Sequence, residues 1–261
     1  MTPPRALITG ASSGIGFELA KQFAEHGFEL IINAEDADIH AAAEMVGKAG
    51  VPVRAVQADL RTEQGIEDVW AACLEGGRSL DAAVLNAGIG QGGPFLSTDL
   101  AAELDIIDLN VRSTVHLAKL VLMHMADRNA GKVLITSSIA STMPGSFQAV
   151  YNASKSFLQS FAEALQDELR ATGVTVTSLM PGPTETRFFK RADMADNTRV
   201  GQSKKDDPAD VARQGFDALM AGRRRVVAAS VVTKAQEAVA KVLPDRVKAA
   251  AHRLMAEPKN D

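Results

Sequence analysis

Tyr151 and Lys155 stand four residues apart in Tyr151-Asn-Ala-Ser-Lys155, and on a helix that spacing puts a phenol and an ammonium on one face. Such a pair can move protons. An unperturbed tyrosine titrates near pH 10, so bringing it to about 7 takes roughly 4 kcal/mol of preferential phenolate stabilisation. A cation about 5 Å away in an effective dielectric of about 20 supplies roughly 3 kcal/mol, and a second positive charge close by completes the shift. Tyr151 is the only tyrosine in the 261-residue chain, so no other residue can provide a phenol. Ser138 lies at the end of the apolar run Lys132-Val-Leu-Ile-Thr-Ser-Ser, where a strand-end hydroxyl can face a tyrosine on the next helix. Taken alone, Tyr-x-x-x-Lys reads better as a surface helix pair. The elements around it decide the matter.

Those elements alternate. From Arg5 the chain gives Ala-Leu-Ile-Thr, then Gly10-Ala-Ser12-Ser13-Gly14-Ile15-Gly16, then an amphipathic run from Phe17 to His26, the pattern of strand, glycine turn and helix. A turn of this kind aims backbone N–H groups and a helix N-terminus at one point, which suits a pyrophosphate. Gly10 serves the tight turn, Gly14 the close approach of a ligand, and Gly16 the packing of helix on strand. The spacing Gly-x-x-x-Gly-x-Gly differs from the usual dinucleotide fingerprint, and any strand-to-helix turn can use glycine. Phe28–Asn33 reads as a second strand. Glu35 and Asp36 follow about twenty residues past Gly16, where dinucleotide folds place a ribose-reading carboxylate. A preference for acidic residues at the start of a helix over 36–49 accounts for the same pair.

Further strands are expected over Val51–Gln57, Leu80–Asn86, Lys132–Ser137, Val174–Met180 and Arg224–Ala229, and helices over Thr62–Glu75, Asp99–Ala126, Gln148–Thr172 and Pro208–Ala221. This rhythm predicts one α/β domain over 1–261, with a parallel sheet covered by helices on both faces. The stretch of about 183–207 is polar and weakly periodic, the mark of a functional loop. From Val231 two amphipathic pieces broken at Pro244 make a C-terminal helical extension over about 231–261. Its Lys234, Lys241, Arg246, Lys248 and Arg253 are interleaved with acidic residues, which fits solvated helix faces better than a membrane surface. The apolar positions of the Tyr151 helix, among them Val150, Phe157, Leu158, Phe161, Leu165 and Leu169, cover an arc of roughly 220°. Packing on both the sheet and a second copy follows, as a homodimer or homotetramer.

Composition narrows the function classes. Charged residues at 23% and hydrophobic ones at 46% describe a soluble globular chain. A net charge of -4 leaves no electrostatic footprint for nucleic acid. Cys73 is the single cysteine and cannot form an internal disulfide. The first residues lack a signal peptide's apolar stretch, and no run approaches the roughly 18 apolar residues of a spanning helix, so a cytoplasmic location is expected. His26, His40, His116, His124 and His252 are scattered without the spacing of a zinc site. No metal is expected.

In their order and at their intervals, Thr9-Gly10-x-x-x-Gly14-Ile15-Gly16, Asp59-Leu60, Asn86-Ala87-Gly88, Asn110, Ser138, Tyr151-x-x-x-Lys155 and Pro181-Gly182 resemble the single-domain form of the short-chain dehydrogenase/reductase family, across roughly residues 5 to 230. The resemblance implies a Rossmann-like, doubly wound, seven-stranded sheet and an NAD(P)-dependent oxidoreductase acting on a carbonyl/alcohol pair. Tyr151 would be the proton donor and acceptor, with Ser138 holding the substrate oxygen. Lys155 would bind the nicotinamide ribose while lowering the tyrosine pKa, and Asn110 would position a relay water. Gly10, Ser12, Ser13, Gly14, Ile15 and Gly16 would hold the pyrophosphate and ribose, and Asp59 and Leu60 the adenine. Asn86, Ala87 and Gly88 would border the riboses, and Pro181, Gly182, Thr184 and Thr186 the nicotinamide. Members that prefer NAD usually carry aspartate where this chain has Ala34, and those that prefer NADP often carry arginine where it has Glu35. Two carboxylates, Glu35 and Asp36, and no basic residue at Ser13 disfavour a 2'-phosphate, which leans the cofactor to NAD. Met143, Phe147, Phe188 and Phe189 fall where the family has substrate walls and imply an apolar carbonyl compound; ordinary loop packing uses the same residue types.

Two rival readings stand beside this one. Gly10-Ala-Ser12-Ser-Gly14 also satisfies the hydrolase elbow Gly-x-Ser-x-Gly, but the only histidine beyond His124 is His252 in the terminal tail. A catalytically silent dinucleotide-binding scaffold is the other alternative. Its sequence sign would be loss of the acid/base set, and Asn110, Ser138, Tyr151 and Lys155 are all present.

Overall fold

A computed structural model describes residues 2–228 and 244–258. The amphipathic piece expected over 231–243, with Lys234 and Lys241, lies outside the described residues. In chain order the elements are β1 (Arg5–Thr9), α1 (Gly14–Glu25), β2 (Glu29–Ala34), α2 (Asp38–Gly47), β3 (Val53–Gln57), α3 (Glu63–Leu74), β4 (Ala82–Leu85), α4 (Leu100–Ile106), α5 (Thr114–Asp127) and β5 (Gly131–Thr136). They continue with α6 (Ala149–Glu168), β6 (Val174–Pro181), the one-turn helices α7 (Phe188–Arg191) and α8 (Arg199–Gln202), α9 (Pro208–Met220), β7 (Arg225–Ala228) and a terminal helix, Asp245–Ala256.

The seven strands form one parallel sheet in the order β3-β2-β1-β4-β5-β6-β7. Successive side chains on a strand point to opposite faces, and here both faces are covered. Ala6, Ile8, Leu30, Ile32, Val84 and Leu134 pack beneath α1, α2 and α9. Leu7, Ile31, Ala83, Leu85, Val133 and Ile135 pack beneath α3, α5 and α6. Burial on both sides explains why these strands read as unbroken apolar runs. The chain turns back between β1 and β4, and in open α/β sheets the crevice at such a reversal, beyond the carboxyl ends of the strands, is the ligand site. The glycine turn follows β1 there, and Asn86-Ala87-Gly88 follows β4.

Several expectations shift in detail. The long helix over 99–126 is interrupted by a π-helical segment, Ile107–Ser113, a wide turn that recurs at functional sites and here carries Asn110. Helix α6 stops at Glu168 rather than Thr172, because Arg170 and Thr172 donate backbone bonds to Asp167 and Leu169 in a closing turn. The loop expected over about 183–207 contains α7 and α8, and its Phe189, Ala192 and Met194 are buried together with Ala256 of the terminal helix. That helix is therefore not simply a solvated appendage. His252 Nδ1 lies 2.9 Å from the Ser146 carbonyl oxygen, which makes Nδ1 the donor, and the Arg253 guanidinium sits 5.7 Å from the Phe147 ring centre. Among the described residues no helix is long and apolar enough to cross a membrane.

Candidate active site

Helix α6 begins at Ala149, so Tyr151 lies in its first turn and Lys155 one turn further on. Ser138 caps the short 3-10 turn after β5, accepting the Ala140 N–H at 3.1 Å. Its hydroxyl lies close enough to the Tyr151 phenol to favour the phenolate. Lys155 Nζ donates to the Thr136 carbonyl at 2.9 Å and stands 5.9 Å from the Tyr151 ring centre. Ser137 fixes the helix to the strand end by donating to the Lys155 carbonyl at 3.0 Å. The strand end and the helix are thus stitched together on both sides of the Tyr–Lys pair.

With protein groups alone, the pair does not reach the neutral phenol titration that the Coulomb estimate aimed at. Burial pushes the Tyr151 phenol up to about 12, and the Ser138 hydrogen bond opposes this only in part. Burial also holds the Lys155 ammonium down to about 8. Removing water from around the phenolate costs more than the Ser138 hydroxyl returns, and the same low-dielectric surroundings penalise the ammonium. At neutral pH the site therefore holds a protonated phenol, which is an acid.

Asn110 is fully buried. Its Oδ1 accepts the Ile89 N–H at 2.9 Å, and its Nδ2 donates to the Ile89 carbonyl at 2.9 Å and to Ser154 Oγ at 3.0 Å. Both amide hydrogens are committed to tying the loop after β4 to α6. In this arrangement the side chain is a brace between that loop and the helix. A Cβ at Gly88 would stand 3.0 Å from Asn110 Oδ1 and 3.3 Å from Lys155 Nζ, so a glycine keeps open the space in front of the lysine. Gly90 does the same for aromatic rings: a Cβ there would stand 2.7 Å from the Phe188 ring, which itself packs on Tyr151 with ring centres 5.1 Å apart.

The glycine turn sits at the other end of the crevice. Gly10 (φ +65°) and Gly14 (φ +60°) adopt left-handed backbone that a side chain strains. A Cβ at Gly10 would meet the Ala87 backbone at 2.9 Å. At Gly14 it would meet the Thr186 methyl at 2.9 Å, so this glycine admits the loop after β6. Gly16 lets α1 close onto the Gly10 carbonyl. Asn86 is spent underneath: its N–H and the Ala87 N–H both donate to Thr9 Oγ1, at 2.9 and 3.0 Å, while its Nδ2 donates to the Thr9 carbonyl at 3.1 Å. Ser13 lines the adjacent cleft of about 480 Å³ with Gly14, Glu18, Thr186 and Arg187, and Ile15 packs against the core. Beyond β6, Gly182 donates to the Ala228 carbonyl at 3.4 Å, Thr184 Oγ1 donates to the Gly182 carbonyl at 2.8 Å, and Pro181 ends the strand.

The acidic residues after β2 divide into two roles. Glu35 is engaged by Arg61 (Nη2–Oε2 2.9 Å), which also binds Asp105 (2.8 Å) and Asp59 (2.9 Å). The Arg61 guanidinium holds the Asp59 carboxyl below its usual range, chiefly through their side-chain hydrogen bonds. Asp36 takes the Ser12 hydroxyl on Oδ2 at 3.0 Å, while its Oδ1 is buried without a partner. Asp36 is thus the carboxylate tied to the glycine turn, through Ser12, whereas Glu35 is tied to Arg61. Ser12 bonds to a carboxylate and not to a histidine, which removes the basis of a hydrolase elbow. Leu60 is buried in the core with Leu7, Ile31 and Ile66, so only its backbone is available to an adenine. Arg61, Arg187 and Arg191 were not marked by sequence reasoning. The partners of Arg187 and Arg191 lie far away in the chain, and no local pattern announces them.

Comparison with known proteins follows the same lines. Residues 4–197 match the family model described as short chain dehydrogenase. The chain is 32% identical over 214 residues to the Oxidoreductase UcpA of Salmonella typhimurium, covering 81% of this chain and 78% of that protein. Among solved structures, a short-chain dehydrogenase from Sphingobium yanoikuyae in complex with NADPH is similar with a TM-score of 0.81 and 25% identity, covering 99% of this chain and 98% of the other. A short chain dehydrogenase/reductase from Burkholderia phymatum in complex with NAD shares the fold with a TM-score of 0.82 at 23% identity, over 99% and 97% of the two chains.

Proposed function

The chain belongs to the short-chain dehydrogenase family and is an NAD(P)-dependent oxidoreductase, and on that premise we propose that it interconverts a carbonyl and an alcohol, with Tyr151 as the proton donor and acceptor. The observation that carries this reading is the convergence of Ser138, Tyr151 and Lys155 at the carboxyl end of β5, with the Ser138 hydroxyl beside the phenol and the lysine one helical turn away. The residues present fit a dinucleotide: the open space that Gly88 keeps before Lys155, the turn at Gly10–Gly16, and the unpartnered buried oxygen of Asp36. When bound, the cofactor supplies or accepts the hydride.

In reduction, Ser138 orients the substrate oxygen and Tyr151 gives it the phenolic proton as the carbonyl carbon receives the hydride. Lys155 stabilises the resulting phenolate and is the nearest proton source for restoring the phenol. Oxidation runs the same proton backward, from alcohol to phenolate. A phenol at about 12 is ready for reduction at neutral pH, whereas oxidation requires the phenolate and therefore gains with rising pH or with a positive charge placed beside the ring.

NAD is the preferred cofactor in this reading. Glu35, Asp36, Asp38, Asp59 and Asp105 set five carboxylates around the adenosine end against the guanidinium groups of Arg61, Arg187 and Arg191, and a 2'-phosphate would meet that excess. The Asp36 oxygen is suited to a ribose hydroxyl. Phe188 against Tyr151, with Phe147, Phe189 and Met194 behind it, favours an apolar carbonyl substrate. Leu100, Leu104, Ile107 and Phe157 expose apolar surface along α4, the π segment and α6, which supports a homodimer or homotetramer through that face; a monomer mass in light scattering would exclude it.

The test is separate titration with NADH and NADPH, followed by reduced-nicotinamide fluorescence and repeated with Tyr151→Phe. Binding retained in the variant with turnover of a carbonyl panel lost is the expected result. Turnover unchanged in the variant removes Tyr151 from the mechanism, and tighter binding of NADPH than NADH overturns the cofactor preference. Binding with no turnover of any carbonyl by the unmodified protein would favour the silent scaffold.

A further inference from the structure

The loop after β6 is tied to the far side of the dinucleotide crevice. Thr186 lies on the glycine turn, its methyl 2.9 Å from where a Gly14 Cβ would be. The next residue, Arg187, reaches the start of α2, with Nη1 2.6 Å from Asp38 Oδ2. One turn of α7 later, Arg191 Nη2 stands 3.2 Å from Asp36 Oδ2, the same oxygen that takes the Ser12 hydroxyl. The segment Thr186–Arg191 therefore bridges from α1 to α2, above the carboxyl end of β2. Beneath the bridge is the Asp36 oxygen that has no partner.

We propose that Arg187 and Arg191 are cofactor-retention residues, whose ion pairs with Asp38 and Asp36 latch the loop after β6 across the adenosine end of the crevice. This inference rests on the reading of the glycine turn as a dinucleotide site. Both pairs are half-exposed, Arg187 at 55% and Asp38 at 56%, Arg191 at 48% and Asp36 at 28%, so each is weak and opens readily. That weakness suits a latch. A buried pair would hold the loop shut through product release, whereas two exposed pairs slow departure without blocking it. Asp36 links the parts, because one oxygen holds the loop through Arg191 while the other is buried without a partner and is left for a ribose hydroxyl. A cofactor hydroxyl bonded there and a closed loop thus favour the same carboxylate position. The loop also carries Phe188, which packs on Tyr151, so latching at the adenosine end sets the aromatic wall at the reacting end.

Release of NADH is the direct readout, measured by stopped-flow displacement with excess NAD and followed by reduced-nicotinamide fluorescence. Arg187→Ala/Arg191→Ala is expected to release NADH roughly three- to tenfold faster than the unmodified protein, the range that two exposed ion pairs can supply. Added salt should speed release from the unmodified protein and have less effect on the variant. The exchanged pair Arg187→Asp/Asp38→Arg is expected to regain most of the slow release, since it restores the bridge with its charges reversed. Equal release rates for the double alanine variant and the unmodified protein would overturn the latch. So would an exchanged pair that releases as fast as Arg187→Ala, because an arginine that touches the cofactor phosphates directly is not rescued by a swap. If the unmodified protein binds neither NADH nor NADPH, the glycine-turn reading fails first and the latch falls with it; binding with unchanged release sinks the latch alone.

Discussion

Around Tyr151 the polar side chains are held by nearby backbone: Lys155 by the Thr136 carbonyl, Ser138 by the Ala140 N–H, and Asn110 by both groups of Ile89. Around Asp36 the charged side chains are held by one another, through Arg61, Arg187 and Arg191, with partly or largely exposed partners. The first region is fixed when the sheet and α6 form. Proton transfer needs that, because the donor must sit within hydrogen-bond reach of the reacting oxygen. The second can open and close at little cost, because exposed ion pairs contribute less than about 1 kcal/mol each. One crevice thus has a rigid chemical end and a loose gripping end, and the burial of its ions separates the two.

The largest effect that tests this contrast comes from Lys155→Met. Turnover should fall by at least about a hundredfold, as expected when proton control is lost, yet the protein itself should become more stable. A lysine held at about 8 against an ordinary 10.5 disfavours the buried ammonium by about 3 kcal/mol. Between those values the unfolded chain binds more protons than the folded one, so stability of the unmodified protein rises with pH. The advantage of the variant is therefore full below pH 8 and gone by about pH 10.5. Above pH 10 the sign reverses for Tyr151, whose phenol stays protonated to about 12 in the folded state, and stability falls again. Urea titrations of both proteins from pH 7 to 10.5 measure the difference. A variant less stable than its parent at pH 7 would mean that the ammonium is well solvated and the chemical end is not dry.

Asn110→Ala probes the rigid end without changing a charge. It leaves the part-buried N–H and carbonyl of Ile89 without their partners, and a loss of about 2–3 kcal/mol is expected from two such groups, read as a lowered urea midpoint. Turnover should fall in the same variant, since the loop after β4 also carries Gly88 before Lys155 and Gly90 against Phe188. A smaller loss, about 1–2 kcal/mol, is expected for Gly10→Ala, where a left-handed backbone and the Ala87 contact both resist a methyl. NADH binding should weaken with it, and unchanged binding would show that the turn can shift without harm.

The contrast also sorts what could be read from residues alone. Strand and helix alternation was legible because parallel strands buried on two faces must be apolar throughout, and the Tyr151–Lys155 pair because helical spacing is local. The three-glycine turn was legible for the same reason, although the Thr186 contact at Gly14 was not. Hidden from any local pattern were the ion pairs of Arg187 and Arg191, whose partners lie 149 and 155 residues away. The commitment of Asn110 to Ile89 was hidden too, as was the docking of the terminal helix on Ser146. The attraction of a cation for the phenolate follows from spacing, whereas the loss of water depends on what packs around the ring. Pattern thus revealed which residues stand together on one element, and only the fold revealed what they cost to bury.

Arg61→Ala should give the smallest change. Its guanidinium joins Asp59, Glu35 and Asp105, but those carboxylates are 35%, 46% and 45% exposed, so water can replace it. A stability loss of no more than about 1 kcal/mol is expected. Its effect on binding is more telling. Removing one cation makes the adenosine end more negative, so NADPH, with its additional phosphate, should lose more affinity than NADH. Paired titrations of the variant measure the ratio of the two dissociation constants. A ratio that moves toward NADPH would mean that Arg61 repels or orders something other than a phosphate, and that the carboxylates around it do not set the cofactor preference.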